Sequence, residues 1–555
     1  MKIVVLGGYG VFGARLVELL TRDGHAVIVA GRSAEKAQAL ATRFGAAHLV
    51  VDRAGDLAPL WALAPDAVVD AAGPFHAYGD DPYHLARACI VQSVHYLDLA
   101  DDSAFCAGIS ALDDAARAAG VLALSGVSSV PAISSAAVAA LAEGADEIDT
   151  ISSAILPGNR APRGRAVVES ILNQCGRPFD LPLGGAEVPV RSWSRPAVFD
   201  LGQGLRRKGW MIAVPDHRLF ADAFNARTVL FRAGLELAVM NYALAGLSWL
   251  RGRLGFGIPG WFVSAMLWLA TMLKPFGTDR GGMWVGVTLR RGEVWQRHIW
   301  RMLAAEGEGP FIPAVAARAL LREPGAIAPG ARPAVAVVSL QAVEAAMADL
   351  AVTTEQVVAP AVAPAFVRQL GVDFARLAGQ VQAIHDLRGP QVWRGRAEVV
   401  RGKGLLARII ATLFRFPPAT EDIAVQVTMT PDEKGELWER RFGGRIFRSY
   451  LRPSGGRMTE RFGPFTFTLD LQVKDGALHF PVISGRLGWL PLPRFALPRS
   501  VAREYVQGGQ FHFDVALMAP LTGALVVHYR GWLAPTRRVD HDPPYGLIDG
   551  SGRGG

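Results

Sequence analysis

The chain opens on a series of short apolar stretches. MKIVVL, AVIVA, HLVV, DAVVDAAG, HYLDLA and VLALSG follow one another over residues 1 to about 130. They are short and rich in β-branched side chains, as strands buried on both faces are. Segments of helical spacing separate them, such as Leu16, Leu19 and Leu20 after Ala14. This alternation predicts a doubly wound parallel sheet over residues 1–134. Between 135 and 350 the pattern stays mixed. ADEIDTISSAILPGN predicts a strand running into a turn, and a helix begins near Gly164. GTDRGGMWVGVTLRRGEVWQRHIWRMLAAEG predicts a strand–turn–strand pair, and EGPFIPAVAARALL a loop followed by a helix. Residues 135–350 therefore read as an α/β substrate or dimerisation domain.

Beyond 350 the pattern changes. Residues 352–366 are rich in Val, Ala and Pro without a clear period, so 351–368 reads as a linker. FARLAGQVQAIHDL and GLLARIIATLFRF predict amphipathic helices, and FPPA stops the second. DIAVQVTMT and ELWERRF flank PDEKG, a hairpin signal. FTFTLDLQV and FHFDVALM alternate apolar with polar residues, and ALVVHYRGWL ends the set. Residues 369–537 thus predict an α+β domain whose antiparallel sheet curls around an apolar interior. The tail, 538–555, predicts disorder.

Residues 229–276 stand apart. Leu235 to Leu250 is almost wholly apolar, interrupted by Glu236 and Asn241, and Gly255 to Leu273 is a second apolar run. Three readings are open: a span of the bilayer, peripheral contact through Trp249, Trp261 and Trp268, or burial in a core, greasy pocket or homodimer seam.

The chemistry begins at VVLGGYGVFGARLVELL. Gly8, Gly10 and Gly13 form G-x-G-x-x-G on a strand-to-helix turn, where the backbone can approach a pyrophosphate and the helix N-terminus offers free N–H groups. Gly7, Tyr9, Val11 and Phe12 complete this candidate dinucleotide cradle. At the end of the second strand an NAD site places an acidic residue, but here stands Ala30-Gly31-Arg32-Ser33. Arg32 and Ser33 suit a 2′-phosphate, so NADP is favoured over NAD. Asp52, after the third strand, falls near the adenine. Ala72, Gly73 and Pro74 leave the fourth strand at the edge where such sheets bind ligands.

A hydride-transfer site also needs a proton donor or acceptor. His76, Asp98 and Asp102 are the candidate catalytic residues. The alternatives are a surface histidine at 76 and a helix cap or solvated carboxylate at 101 or 102. Arg160, Arg163 and Arg165 precede a helix and read either as an anion site or as solvated loop residues.

Composition narrows the partners. The net charge of +8 comes with only seven lysines, and no arginine-rich tract is interleaved with aromatics, so nucleic acid is not an expected partner. Cys89, Cys106 and Cys175 have no metal spacing and suggest no disulfide framework. No metal is expected. The first strand begins at once, leaving no room for a signal peptide, so the expected location is the cytoplasm, at the inner face of the membrane if 229–276 touches lipid.

GGYGVFGARLVELL, AGRS, AAGPFHAYG, ARACIVQSVHYLDLADD and AGVLALSGVSSVP together resemble the saccharopine dehydrogenase-like (saccharopine reductase-like) NAD(P)-binding family. The resemblance covers about residues 1–350 and is strongest before 135. It implies an N-terminal Rossmann domain and, at the start of EGPFIPAVAARALL (308–321), a loop that closes the cleft beside the cofactor. The chain departs from the family's Asn-Ala-Gly-Pro pattern at Asp70-Ala71-Ala72-Gly73. HDLRGPQVWRGRAEVVRG, WERRFGGRIFRS, ERFGPFTF and VVHYRGWL resemble a bacterial domain of unknown function, DUF4166. The expected function is an NADP-dependent oxidoreductase acting on a small-molecule carbonyl or imine, with a lipid-like substrate suggested by the apolar helices. The alternative is a membrane-associated binding or scaffold protein that keeps NADP as a structural or sensing ligand.

Overall fold

The computed structural model describes residues 1–162 and 164–536. Arg163, one of the three candidate anion-site arginines, and the tail 538–555, for which the sequence predicts disorder, lie outside the described residues.

The six apolar stretches form parallel strands β1 (Lys2–Leu6), β2 (Ala26–Gly31), β3 (Ala47–Val50), β4 (Ala67–Asp70), β5 (His95–Asp98) and β6 (Leu122–Ser125). Their order is 3-2-1-4-5-6, so the chain reverses direction across the sheet between β1 and β4. Helix α1 (Val11–Arg22) buries Leu16, Val17, Leu19 and Leu20 against the sheet, and α2 (Ala34–Phe44) follows β2. The sheet is completed by a seventh strand, Gly330–Pro333, parallel to β6. The helix Ile312–Arg322 packs beside α1, where Arg318 joins Asp23. Residues 312–333, expected in the second domain, are thus part of the first. A four-residue strand containing Gly and Pro carries no local signal, and only β6, about 200 residues earlier, gives it a partner.

The second body is a mixed sheet of seven strands, ordered Ser194–Asp200, Arg206–Met211, Thr228–Ala233, Glu147–Leu156, Gly281–Arg291, Val294–Ala304 and Val352–Pro360. Thr228–Ala233 pairs parallel to Glu147–Leu156, and the other pairs are antiparallel. Residues 352–360, expected as linker, are its edge strand, in register from Val352 opposite Ala304 to Pro360 opposite Gln296. The edge position leaves most of its side chains in water, so no apolar alternation marks it.

The two apolar runs of 229–276 form helices Ala238–Leu254 and Gly260–Met272. Among the described residues no helix is long and apolar enough to cross a membrane. The second has 13 residues, against the roughly 20 a span needs. The residues that interrupt the apolar pattern act as ties. The Asn241 side chain bonds both the N–H and the C=O of Leu235. Glu236 accepts from the N–H groups of Asn159 and Thr278 and pairs with buried Arg207 at 2.9 Å. Arg251, also buried, donates to the carbonyls of Leu172, Asn173 and Cys175, closing the end of the helix Arg165–Gln174.

The C-terminal body is a 13-stranded antiparallel sheet. Its central strands include Gln391–Arg401, Thr420–Pro431, Glu436–Phe442 and Leu525–Pro535. Strands from both limbs line one apolar interior, so the sheet curls on itself. The helix Leu405–Leu413 lies across the final strand. The overall class is α/β with this α+β addition.

Candidate functional site

The turn after β1 is shaped by what a side chain would strike. Gly7 has φ +73°, and a Cβ there would fall 2.6 Å from Ala72 Cα. A Cβ on Gly8 would meet the Val5 carbonyl at 2.8 Å, and one on Gly13 would meet the Gly7 carbonyl at 2.3 Å. The turn is therefore pressed between the Ala71–Pro74 loop and α1. Gly10 is the N-cap of α1, and no side chain caps it. The first intrahelical bond runs from Ala14 N–H to the Gly10 carbonyl, so the amides of Val11, Phe12 and Gly13 lie free of the helix ladder. An uncapped helix start above a glycine turn is a fit for a pyrophosphate.

Tyr9 braces this turn to the end of β2. Its ring lies against Gly31, and its hydroxyl accepts from the Ser33 N–H at 3.2 Å. The Ser33 hydroxyl accepts from the Lys36 N–H and caps α2. Arg32 is exposed beside it. Asp52 is exposed and accepts from the Ala54 N–H, which shapes the turn after β3.

The three candidate catalytic residues have different local settings. His76 is exposed on the 3-10 turn Phe75–Ala77. Asp102 accepts from the Phe105 N–H and is the N-cap of the helix Ser103–Gly108. Asp98 is fully buried. Its Oδ1 accepts from the Ser125 hydroxyl and from the N–H groups of Ala100 and Gly126, stitching β5 to β6. Burial pushes its carboxyl up to about 7, against the pull of those N–H donors. Arg165 donates to Ser264 and faces Glu169, joining its helix to Gly260–Met272.

A second charged group at this edge has no clear signal in the sequence. Buried Asp70, at the end of β4, accepts from Ala72 N–H, the Tyr78 hydroxyl and Arg53 Nε, and the Arg53 guanidinium lies 3.3 Å from the Tyr78 ring centre. Arg53 also donates to the Pro82 carbonyl. This network anchors the Ala71–Pro74 loop over the glycine turn. An asparagine at 70 would keep the Ala72 and Tyr78 bonds but lose the ion pair, which is the consequence of the departure noted above.

Between the first two bodies lies a cavity of about 490 Å³, within the roughly 300–1,000 Å³ common for small-molecule sites. Phe12 of α1 and Ser129, after β6, stand on one wall. Leu244 and Leu247 of one apolar helix and Phe262 and Met266 of the other stand on another. Pro310 and Ile312, from the segment expected to close the cleft, also line it. Apart from Ser129 and Asp279, the residues that line it are apolar or glycine. His76, Asp98 and Asp102 do not line it. Asp279 carries no signal in the sequence, because a lone Thr-Asp-Arg loop has no pattern.

Among solved structures, apo saccharopine dehydrogenase (L-Glu forming) from Saccharomyces cerevisiae is similar at 13% identity, over 64% of this chain and 99% of that one, with a TM-score of 0.47. BdcA from E. coli is similar at 23% identity, over 22% of this chain and 80% of that one, with a TM-score of 0.18. No curated protein matches. Two families cover the ends of the chain: residues 3–124 match the saccharopine dehydrogenase NADP binding domain, and residues 377–533 match the domain of unknown function DUF4166.

Proposed function

We propose that the chain is an NADP-dependent oxidoreductase that moves a hydride to or from a carbonyl or imine on an apolar substrate. The observation that carries this reading is the apolar cavity opening beside Phe12, at the uncapped start of α1. The match of residues 3–124 to an NADP-binding family supports the cofactor. Bound there, the nicotinamide would supply the hydride chemistry. In this reading Gly7, Gly8, Gly10 and Gly13, with the amides of Val11 and Phe12, hold the pyrophosphate. Arg32 and Ser33 hold the 2′-phosphate, Asp52 lies by the adenine, and Ala72, Gly73 and Pro74 flank the cofactor. Asp279, the acidic residue among those that line the cavity, takes or gives the proton. The surrounding apolar walls exclude water and select an apolar substrate.

Calorimetric titration with NADPH and NADH tests the first half. A charge-assisted bond is worth about 1.5–3 kcal/mol. Arg32→Ala should therefore weaken NADPH binding about 10- to 100-fold and leave NADH binding unchanged. Binding of neither nucleotide by the native chain would sink the proposal.

The exposed side of the helix pair favours a second reading, a membrane-surface protein that retains NADP without turnover. Trp249, Trp261, Trp268, Leu254 and Phe276 are all exposed there. A second copy of the chain is the other occupant for that face. NADPH oxidation with any member of a panel of long-chain aldehydes and imines would decide for the enzyme.

A further inference from the structure

The C-terminal body holds a cavity of its own, of about 270 Å³, far in sequence from the cofactor cradle. Its walls come from both limbs of the curled sheet: Leu451 and Leu469 on one side, Val515 and Leu517 on the other. Phe414 and Phe416 enter it from the end of the helix Leu405–Leu413, and the Phe414 ring packs tilted against Phe465 with ring centres 5.4 Å apart. A sheet that packed only for stability would fill this space with side chains.

Four charged residues touch the interior: Arg440, Glu460, Arg503 and Glu504. They come as two of each sign. Arg440 faces Glu460 at 3.5 Å and donates to Ser449, while Glu504 bonds His385 at 2.6 Å. The interior therefore has no net charge to offer a head group, and what it selects is hydrocarbon.

The rim has the opposite character. Ile410 lines the cavity, Leu413 stands at its mouth and is exposed as well, and Leu405 and Ile409 on the same helix are exposed. The 485–498 segment repeats this arrangement: Leu492 and Ala496 line the cavity, and Trp489 (89% exposed) and Phe495 (65% exposed) stand in water. Lys403, Arg408, Arg415, Arg486, Arg494 and Arg499 are exposed among them. No carboxylate occurs in residues 402–419 or 483–503. Exposed aromatics set among exposed basic side chains complement an anionic bilayer surface.

We propose that the C-terminal body binds the hydrocarbon chain of an anionic amphiphile in this cavity, and that its basic apolar rim docks on an anionic membrane to load it. The head group stays at the rim with the arginines. This site is separate from the cavity beside Phe12 and does not depend on the oxidoreductase reading.

The full chain is titrated with cis-parinaric acid, a fluorescent fatty acid. Saturable binding is expected, and Val515→Trp, which fills the cavity, should weaken it about tenfold or more while NADPH affinity holds. Binding that V515W leaves unchanged would overturn the proposal. A diazirine-bearing fatty acid, cross-linked to the native chain, makes the test independent of how that variant folds. Label within 405–529 is expected, and label confined to 229–276 would overturn it. For the rim, the chain should sediment with phosphatidylcholine vesicles holding about 30% phosphatidylglycerol and less with phosphatidylcholine alone. The double variant W489S/F495S should sediment less than the native chain. Equal sedimentation of both proteins would overturn the loading step.

Discussion

Gly13→Val should abolish NADPH binding. The first atom of a side chain at 13 would lie 2.3 Å from the Gly7 carbonyl oxygen and 2.9 Å from Gly8 Cα. Both are backbone atoms of the turn, so neither can swing aside as a side chain tip would. Helix α1 must instead lift off β1, which takes the amides of Val11, Phe12 and Gly13 away from the phosphate position. Overpacking of this kind costs about 1–3 kcal/mol of stability, while the loss of several aligned N–H donors should cost NADPH affinity more than about 100-fold. Gly24→Ala is the control. Gly24 has φ +79° with nothing within 4 Å of a new Cβ, so the variant should lose only about 1 kcal/mol of stability to backbone strain and keep its nucleotide affinity. Gly13→Val binding NADPH within about threefold of the native chain would refute this account of the turn.

The second large effect is on stability. Arg318, 2% exposed, donates to both oxygens of Asp23, to Asp349 and to the Ala346 carbonyl. Arg322 holds the same Asp23 from the surface side. This network fixes α1 to the returning helix Ile312–Arg322. Arg318→Met keeps the volume but leaves the Ala346 carbonyl and part of both carboxylates unpaired, at a cost of about 3–5 kcal/mol. Urea unfolding at pH 7 measures it. The effect is also pH-dependent in a defined direction. Burial alone would raise the Asp23 carboxyl, but the hydrogen bonds and charges of Arg318 and Arg322 outweigh it and hold the group far below the ordinary carboxylate value of 3.8. A carboxyl depressed on folding stabilises the fold above its unfolded pKa and loses that contribution as pH falls below it. The gap between native and Arg318→Met chains should therefore be full at pH 7 and shrink as pH drops below about 4. A gap that is constant down to the acid transition would show that packing, not charge, is responsible.

The legible parts of this chain were the local ones. The strand–glycine–helix unit at 4–20 and the hairpins around PDEKG and after GTDRGG each contain their own partner, so periodicity and turn chemistry suffice. The strand at 330–333 depends on β6, and the edge strand at 352–360 on the strand Val294–Ala304; neither carries a signal without that neighbour. At the site, glycine spacing pointed to the cradle because steric need fixes residue type. The carboxylates were harder. Asp98 and Asp102 occupy strand-end and loop positions where a catalytic acid, a cap and a buried stitch are indistinguishable until hydrogen-bond partners are known. Glu236 and Asn241 looked like interruptions of an apolar run, and their partners, at 159, 278 and 235, explain why the run tolerates them.

The return of the chain to the first sheet has a mechanical consequence. The backbone passes between the first two bodies three times, after the helix Ser134–Leu141, before Gly309 and after Leu350. Two bodies joined by one tether can swing apart, but three crossings spread along a shared face leave only a small shear or rocking motion. A bulky guest entering the cavity by Phe12 would have to strain all of them at once. The wall formed by helices Ala238–Leu254 and Gly260–Met272 belongs to one body alone, and moving it strains none of them. Traffic into the cavity should therefore run past Trp261 and Trp268, making the greasy outer face of that wall the threshold of the site.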